Sequence, residues 1–376
     1  MQRENDETVA YIGGFMLPDK NAAAHRVIAN AKALRLLGYK VVLIGINDEL
    51  EEKELSEFVH EGFSCYSLSY PRNFSGWIKR LFSIDSYIDI IKKEENVKSI
   101  ILYNFPSIAM KRLLSYSKQH NIKCIGDVTE WYDCKISFRN IVGSLAKKLD
   151  NAYRMRFIHK KLHALIVISR FLESYYNGKL TVSCIPPLVD ITEKKWNNSQ
   201  KKETESELLK LVYAGSPGNK DSLEVIIRAI CKAKRKCKLD IIGIEKKSFL
   251  EKNGKYACGA DFETKVFFHG RLSHEETLKY VKNADYSVFF RSNKRSNQAG
   301  FPTKFSEAVS AGTRIMTNDV SNISEYIADG NNGLILKKIS EEEIIKCIEG
   351  AETGKSTETE TFHYVHFVTE LAKIMK

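Results

Sequence analysis

Short apolar runs alternate with longer segments whose apolar positions recur every three or four residues, from near the N-terminus to about residue 318. That rhythm predicts buried parallel strands wrapped by helices. Thr8-Val9-Ala10-Tyr11-Ile12 reads as a first strand that ends in Gly13-Gly14. Asn21 is suited to cap a helix reaching Leu37, with Val27, Ala31 and Leu34 as its buried stripe and Gly38 as its stop. A second strand over 40–45 completes a βαβ unit, and further buried strands are expected over 99–103, 123–127 and 164–169. A short helix and the segment 182–190 close this half.

Residues 191–207 are polar and lack an apolar period, so they read as a linker. The rhythm then restarts. Strands are expected over 208–214, 239–243, 266–270, 286–290 and 313–318, and helices over 222–235, 275–283 and 302–311, the last stopped by Gly312. The expected architecture is α/β: two doubly wound, Rossmann-like domains, 1–190 and 208–376, facing each other across a cleft, the final helix able to pack back on the first domain. No tandem repeat is present. Clefts of this kind bind ligands at the carboxyl ends of the strands, but fold alone does not name the ligand.

Composition adds exclusions. The 376 residues are 43% apolar, 28% charged and 10% aromatic, which is globular and argues against collagen, coiled coil or disorder. No apolar run approaches the ~20 residues of a membrane-spanning helix, and the polar, acidic start does not read as a signal peptide. Eight scattered cysteines contain no CxxC pair and no metal-type spacing with the histidines, so free thiols in a reducing, cytoplasmic compartment are expected, and no metal site.

Charge is uneven. Residues 70–170 hold 19 Lys and Arg against 8 Asp and Glu, a difference equal to the whole net charge of +11. Leu149, Tyr153, Arg156 and Lys160 fall on one helical side there, while Phe157, Leu162 and Leu165 lead toward a buried segment. A solvated helix face and an attraction to anionic membrane or a lipid-linked substrate both fit this pattern. Nucleic acid does not, because no binding motif or aromatic interleaving accompanies the charge.

Candidate chemistry concentrates in the second half. Between 291 and 312 a strand ends in a polar loop, and Gly300-Phe301-Pro302 opens a helix with Pro302 suited to its first position. The free amides of that turn favour a phosphate, and Lys304 adds a charge. Glu307 shares the helix side and is able to accept ribose hydroxyls, although Lys304 and Glu307 also read as an ordinary surface pair. A second strand-to-helix turn, Tyr213-Ala214-Gly215-Ser216-Pro217-Gly218-Asn219-Lys220, presents another lysine at a helix start. Gly13-Gly14 offers bare backbone in the first half.

In these pieces, in this order, the chain resembles family-4 glycosyltransferases of the GT-B type, especially those of bacterial surface or capsular polysaccharide clusters. The likeness covers Gly13-Gly14 and the helix after it, the strand over 164–169, Ile185-Pro186-Pro187-Leu188-Val189-Asp190, and 215–220. It continues through Phe268-His269-Gly270-Arg271-Leu272-Ser273, 300–307 and 324–334. The resemblance implies a retaining, metal-independent hexosyltransferase with no cofactor. A UDP- or GDP-linked sugar is the donor, and a glycan or lipid-linked acceptor receives the sugar. It implies Lys220, Lys304 and Glu307 as catalytic residues. Gly13, Gly14, Ser216, Arg271, Leu272, Arg291, Phe301, Pro302 and Thr303 would line the donor.

Two departures stand out. Ala299 occupies the first of two glutamate positions of the family pattern, and Ser216 stands where an arginine is common. Arg291 is a candidate to supply that charge. Acceptor contacts are expected from Asp127 and Glu130, which follow a strand beside Trp131 and Tyr132, and from His25 and Arg26 in the first helix. A degenerate partner or scaffold that binds glycan or a sister enzyme, and a GT-B epimerase, are the alternatives. Peripheral contact with an anionic inner membrane face is a further expectation.

Overall fold

The computed structural model describes residues 6–376 except 19, 53, 134–140, 197–206, 218–220, 254–259 and 329–330. The chain divides into two compact units, one of Met1–Leu188 with Tyr364–Lys376, the other of Val189–His363.

In the first unit the strands are β1 (Thr8–Gly13), β2 (Lys40–Asn47), β3 (Leu55–His60), β4 (Phe63–Ser69), β5 (Val97–Tyr103), β6 (Lys123–Val128), β7 (Ala164–Val167) and β8 (Thr181–Cys184). They form one sheet of order β3-β4-β2-β1-β5-β6-β7-β8. Every pairing is parallel except the β3–β4 hairpin at the edge. The helices are α1 (Ala22–Leu36), α2 (Phe74–Phe82), α3 (Asp85–Lys93), α4 (Ser107–Gln119), α5 (Ile141–Tyr153) and α6 (Arg170–Tyr176).

Several local expectations hold. The Asn21 side chain accepts from Ala24 N–H at 2.9 Å, satisfying one free donor of α1. Gly38 adopts φ of 92°, the left-handed conformation in which a helix ends without a Cβ clash. The edge hairpin, α2 and α3 were not legible from apolar spacing, because β3 alternates between exposed and half-buried and α2 leaves much of its apolar surface uncovered. Phe157, expected to lead inward, is 56% exposed. There α5 runs into a wide π-helical turn over Arg154–Ile158, which turns Arg154 inward and Phe157 out.

The second unit has β9 (Leu209–Ala214), β10 (Cys237–Ile242), β11 (Val266–Phe268), β12 (Tyr286–Val288), β13 (Arg314–Asn318) and β14 (Gly333–Leu336), in the order β11-β10-β9-β12-β13-β14. All its pairings are parallel, and the order is that of a doubly wound dinucleotide-binding sheet. Its helices are α7 (Leu223–Lys232), α8 (Lys246–Asn253), α9 (Ala260–Lys265), α10 (His274–Asn283), α11 (Arg295–Ala299), α12 (Thr303–Ser310) and α13 (Glu341–Gly350). Strand order reverses between β9 and β12, so the loops after these two strands border a switch point.

The chain enters this unit at Val189, whose N–H donates to Phe362 O at 2.9 Å, and leaves beside it at His363. Part of the expected linker belongs to the unit's body. Trp196 is buried and meets the His274 ring edge-on at 6.4 Å; 197–206 lie outside the described residues. The last helix, α14 (Val368–Met375), belongs to the first unit. Lys123 Nζ donates to the Met375 and Lys376 carbonyls, and Ser183 Oγ to Glu370 O. Leu371, Ile374 and Met375 join the core under α1.

Candidate functional site

The carboxyl ends of β9 and β12 carry a cluster of charges around Asp221. This carboxylate is almost wholly buried, its side chain 2% exposed. Its Oδ1 accepts from Arg291 Nε at 2.7 Å; its Oδ2 accepts from Lys304 Nζ at 2.7 Å and from Tyr213 O–H at 2.6 Å. A β-bridge between Asp221 and Arg291 ties the two loops across the switch point. Asn318, at the end of β13, completes the frame: its side chain accepts from Arg291 N–H and donates to Arg291 O, both at 2.9 Å.

Lys304 projects from the first turn of α12 over the Tyr213 ring, 3.8 Å from its centroid. Gly215 faces it with φ of 111°. A Cβ at that glycine would lie 3.8 Å from Nζ, in ordinary van der Waals contact, so it is the left-handed backbone that favours glycine here. Burial pulls the Lys304 ammonium down to about 8, although Asp221 opposes the shift. Burial would push Asp221 upward, but Lys304 and Arg291 together hold it below the usual carboxylate value. Two cations thus share one buried carboxylate, with Glu307 one turn further along α12 also acting on Lys304, and in such low-dielectric surroundings an added anion gains more than it would in water.

Pro302 is the residue before α12, one position earlier than expected, and contributes the extended backbone that opens the helix. Glu307 lies one turn past Lys304 on the same helix. His274 Nε2 sits 3.4 Å from its carboxylate, beyond a strong hydrogen bond and within ion-pair distance. Phe301 does not offer its ring to a ligand. It is buried among Phe305, Tyr326 and Phe362, at centroid distances of 5.7, 5.8 and 6.1 Å. Thr303 is half-buried at the helix start, and Ser216 is exposed in the turn after Gly215. Arg271 is exposed and Leu272 half-buried in the loop after β11. Lys220 lies outside the described residues. Ala299 ends α11 fully buried, so a glutamate there would have to displace its packing.

In the first unit, Gly13 and Gly14 close β1. A Cβ on Gly13 would lie 2.6 Å from Tyr103 Cβ, and one on Gly14 would lie 3.2 Å from the Arg80 guanidinium. Gly13 is therefore required by strand packing alone. Arg26 and Asp127 are corrected from acceptor contacts to core. Arg26 Nη2 meets Asp127 Oδ1 at 2.8 Å, with side chains 3% and 0% exposed. Arg26 also donates to the Ile185 and Pro186 carbonyls, and Tyr11 O–H donates to Asp127. Through these bonds they fasten α1 to β6 and the chain after β8. His25 and Glu130 are half-buried; Glu130 neighbours Tyr132.

Asp221 was the residue that sequence reasoning missed. Its only signal was its place, one residue beyond the lysine of a glycine-containing strand-to-helix turn, and nothing in that spacing distinguishes a solvated aspartate from a buried hub.

Residues 194–361 match the family model described as glycosyl transferases group 1. That match lies wholly within the second unit. An uncharacterized glycosyltransferase of Methanocaldococcus jannaschii is 26% identical over 240 residues, which span 59% of this chain and 60% of that protein. Among solved structures, the chain is similar to sucrose-phosphate synthase of Thermosynechococcus elongatus (TM-score 0.67, 13% identity, 98% of each chain). It is also similar to Anabaena HepE in complex with UDP and glucose (TM-score 0.64, 12% identity, 98% of this chain and 99% of that one). A third is the lipopolysaccharide outer core galactosyltransferase WaaB (TM-score 0.61, 14% identity, 98% and 99%). These likenesses establish the fold: two α/β units of the GT-B type. The span matched by the family model falls in the unit that holds the Asp221 cluster.

Proposed function

We propose that the protein is a retaining glycosyltransferase that moves a sugar from a UDP- or GDP-linked donor to a glycan or lipid-linked acceptor in cell-surface polysaccharide synthesis. The observation that carries the reading is the pair of cations, buried Lys304 and half-buried Arg291, brought together on Asp221 at the switch point of the second unit. In the transfer, the bond from the anomeric carbon to the diphosphate oxygen breaks, and the acceptor oxygen bonds to that carbon and releases its proton. The leaving diphosphate gains negative charge, and fixed cations at the first turn of α12 stabilise it without a divalent metal or a cofactor. In this reading Lys304 and Lys220 meet the diphosphate, Glu307 holds the ribose, and backbone near Arg271 and Leu272 meets the base.

Peripheral contact with an anionic inner membrane face belongs to the same reading. Helix α5 exposes Ile141, Val142, Leu145 and Leu149 beside Lys147 and Lys148, which suits an interfacial helix. No helix among the described residues is long and apolar enough to cross a membrane. A catalytically degenerate partner is the second reading, and buried Ala299 favours it, because a donor contact expected of the family cannot form there.

Thermal stabilisation by a panel of nucleotide sugars tests the donor, since a ligand that binds the folded state raises its stability by mass action. Binding of a UDP- or GDP-sugar followed by transfer supports the enzyme. Binding without turnover across acceptors supports the partner, and no nucleotide binding overturns the donor site.

A further inference from the structure

The first unit holds a cavity of about 470 Å³ at the carboxyl ends of β2 and β4, lined by Ile46 and Ser69 from those strands, by Tyr70 just after β4, and by α2. Helix α2 turns Gly76, Lys79 and Arg80 toward it, positions that share one helical face, and Ser83 follows at its C-terminal cap. Glu51, Glu52 and Glu54, from the loop between β2 and β3, line it as well. Lys79 and Arg80 form no ion pair among the described residues. The Arg80 guanidinium lies over the Tyr70 ring, 5.5 Å from its centroid, and against Gly14. Trp77 meets the same tyrosine edge-on at 5.4 Å. Outside the cavity, α2 exposes Trp77, Ile78 and Phe82 at 42%, 44% and 43%.

Three chemistries therefore adjoin. Helix α2 supplies unpaired cations, the loop after β2 supplies carboxylates, and the outer helix face supplies uncovered apolar surface. Cations suit a phosphate, carboxylates accept sugar hydroxyl hydrogen bonds, and an aromatic edge borders both. A purely solvated helix would not leave three large apolar side chains exposed on nine residues, nor would a neutral glycan use the cations. From this juxtaposition we infer that the cavity binds the headgroup of a lipid-linked glycosyl phosphate, with the hydrocarbon lying on Trp77, Ile78 and Phe82. Lys79 and Arg80 hold the phosphate, and Glu51 and Glu52 receive the sugar hydroxyls. The ligand is the acceptor only if the transfer reading holds; the binding site itself does not depend on turnover.

The full-length protein reports on this directly. Trp131 and Trp196 are 7% and 6% exposed, so Trp77 alone of the three tryptophans faces solvent. Monomeric dodecyl phosphate is expected to move the tryptophan emission to the blue in a saturable manner, and Trp77→Phe to abolish the change. Arg80→Gln and Lys79→Gln should each weaken the binding by about tenfold, as expected for one lost charge-assisted hydrogen bond. Equal binding of dodecyl maltoside would leave only an apolar patch and overturn the headgroup assignment. Displacement by glucose 1-phosphate at equal concentration would assign the cavity to a soluble phosphate and overturn the lipid. Unchanged affinity in both cation variants would also overturn it. None of these readings uses a nucleotide sugar, so failure here and failure of the donor site are separate results.

Discussion

Asp221 and Lys304, 83 positions apart in sequence, meet at 2.7 Å between Oδ2 and Nζ, and Arg291 holds the other oxygen of the same carboxylate. The pair makes Lys304 tolerable in a buried place while Arg291 shares the same carboxylate. An anion arriving at this point finds its partners already oriented, so little is lost to reorganisation.

Asp221→Asn separates structural from ligand effects. Removing the carboxylate charge leaves two cations facing each other in a buried site, a loss of about 3 kcal/mol by analogy with broken buried pairs. UDP should restore more stability to this variant than it adds to the wild type, because the nucleotide then supplies the missing negative charge. A thermal shift on UDP addition that is smaller than in the wild type contradicts this.

Lys304→Ala should remove most transfer activity and weaken UDP binding while preserving the fold, since Arg291 and Tyr213 still satisfy Asp221. Wild-type-like donor kinetics in this variant would remove Lys304 from the donor site. Glu307→Ala should mainly raise the donor concentration needed for half-maximal rate, which a donor titration at fixed acceptor resolves.

The pH dependence has two opposite signs. Lys304 in the folded protein loses its proton as pH rises through about 8, so UDP affinity and kcat/KM should fall through that region. Lys304→Arg, which keeps its charge at any working pH, should flatten this alkaline limb. Stability behaves otherwise. An unfolded lysine keeps its proton to an ordinary value of roughly 10.4, so between the two values the unfolded chain binds more protons. The contribution of this one group to stability therefore rises with pH across that window, and titrating stability in Lys304→Met should lose that component.

Arg26→Ala should destabilise the first unit by about 3 kcal/mol or more, because it strands Asp127 in the core. UDP binding per folded molecule should not change. A variant with full stability and lost acceptor use would return Arg26 to the acceptor surface.

Much of the fold was legible in the chain itself. Apolar runs and their spacing identified β1, α1 and β2, and the second half's strand–helix alternation, because buried parallel strands and helices that cover them need those periods. The Gly38 stop and Asn21 cap are local backbone chemistry and were likewise readable. Lys304, Arg291 and Glu307 could be picked out as charges beside a helix start. Only the tertiary structure distinguished among charges of identical type: Asp221 became the hub of a cationic site, while Asp127 and Arg26 withdrew into the core. Both outcomes depend on contacts between residues some 70 to 100 positions apart, and the strand order, not local spacing, decides which distant side chains share a low-dielectric pocket.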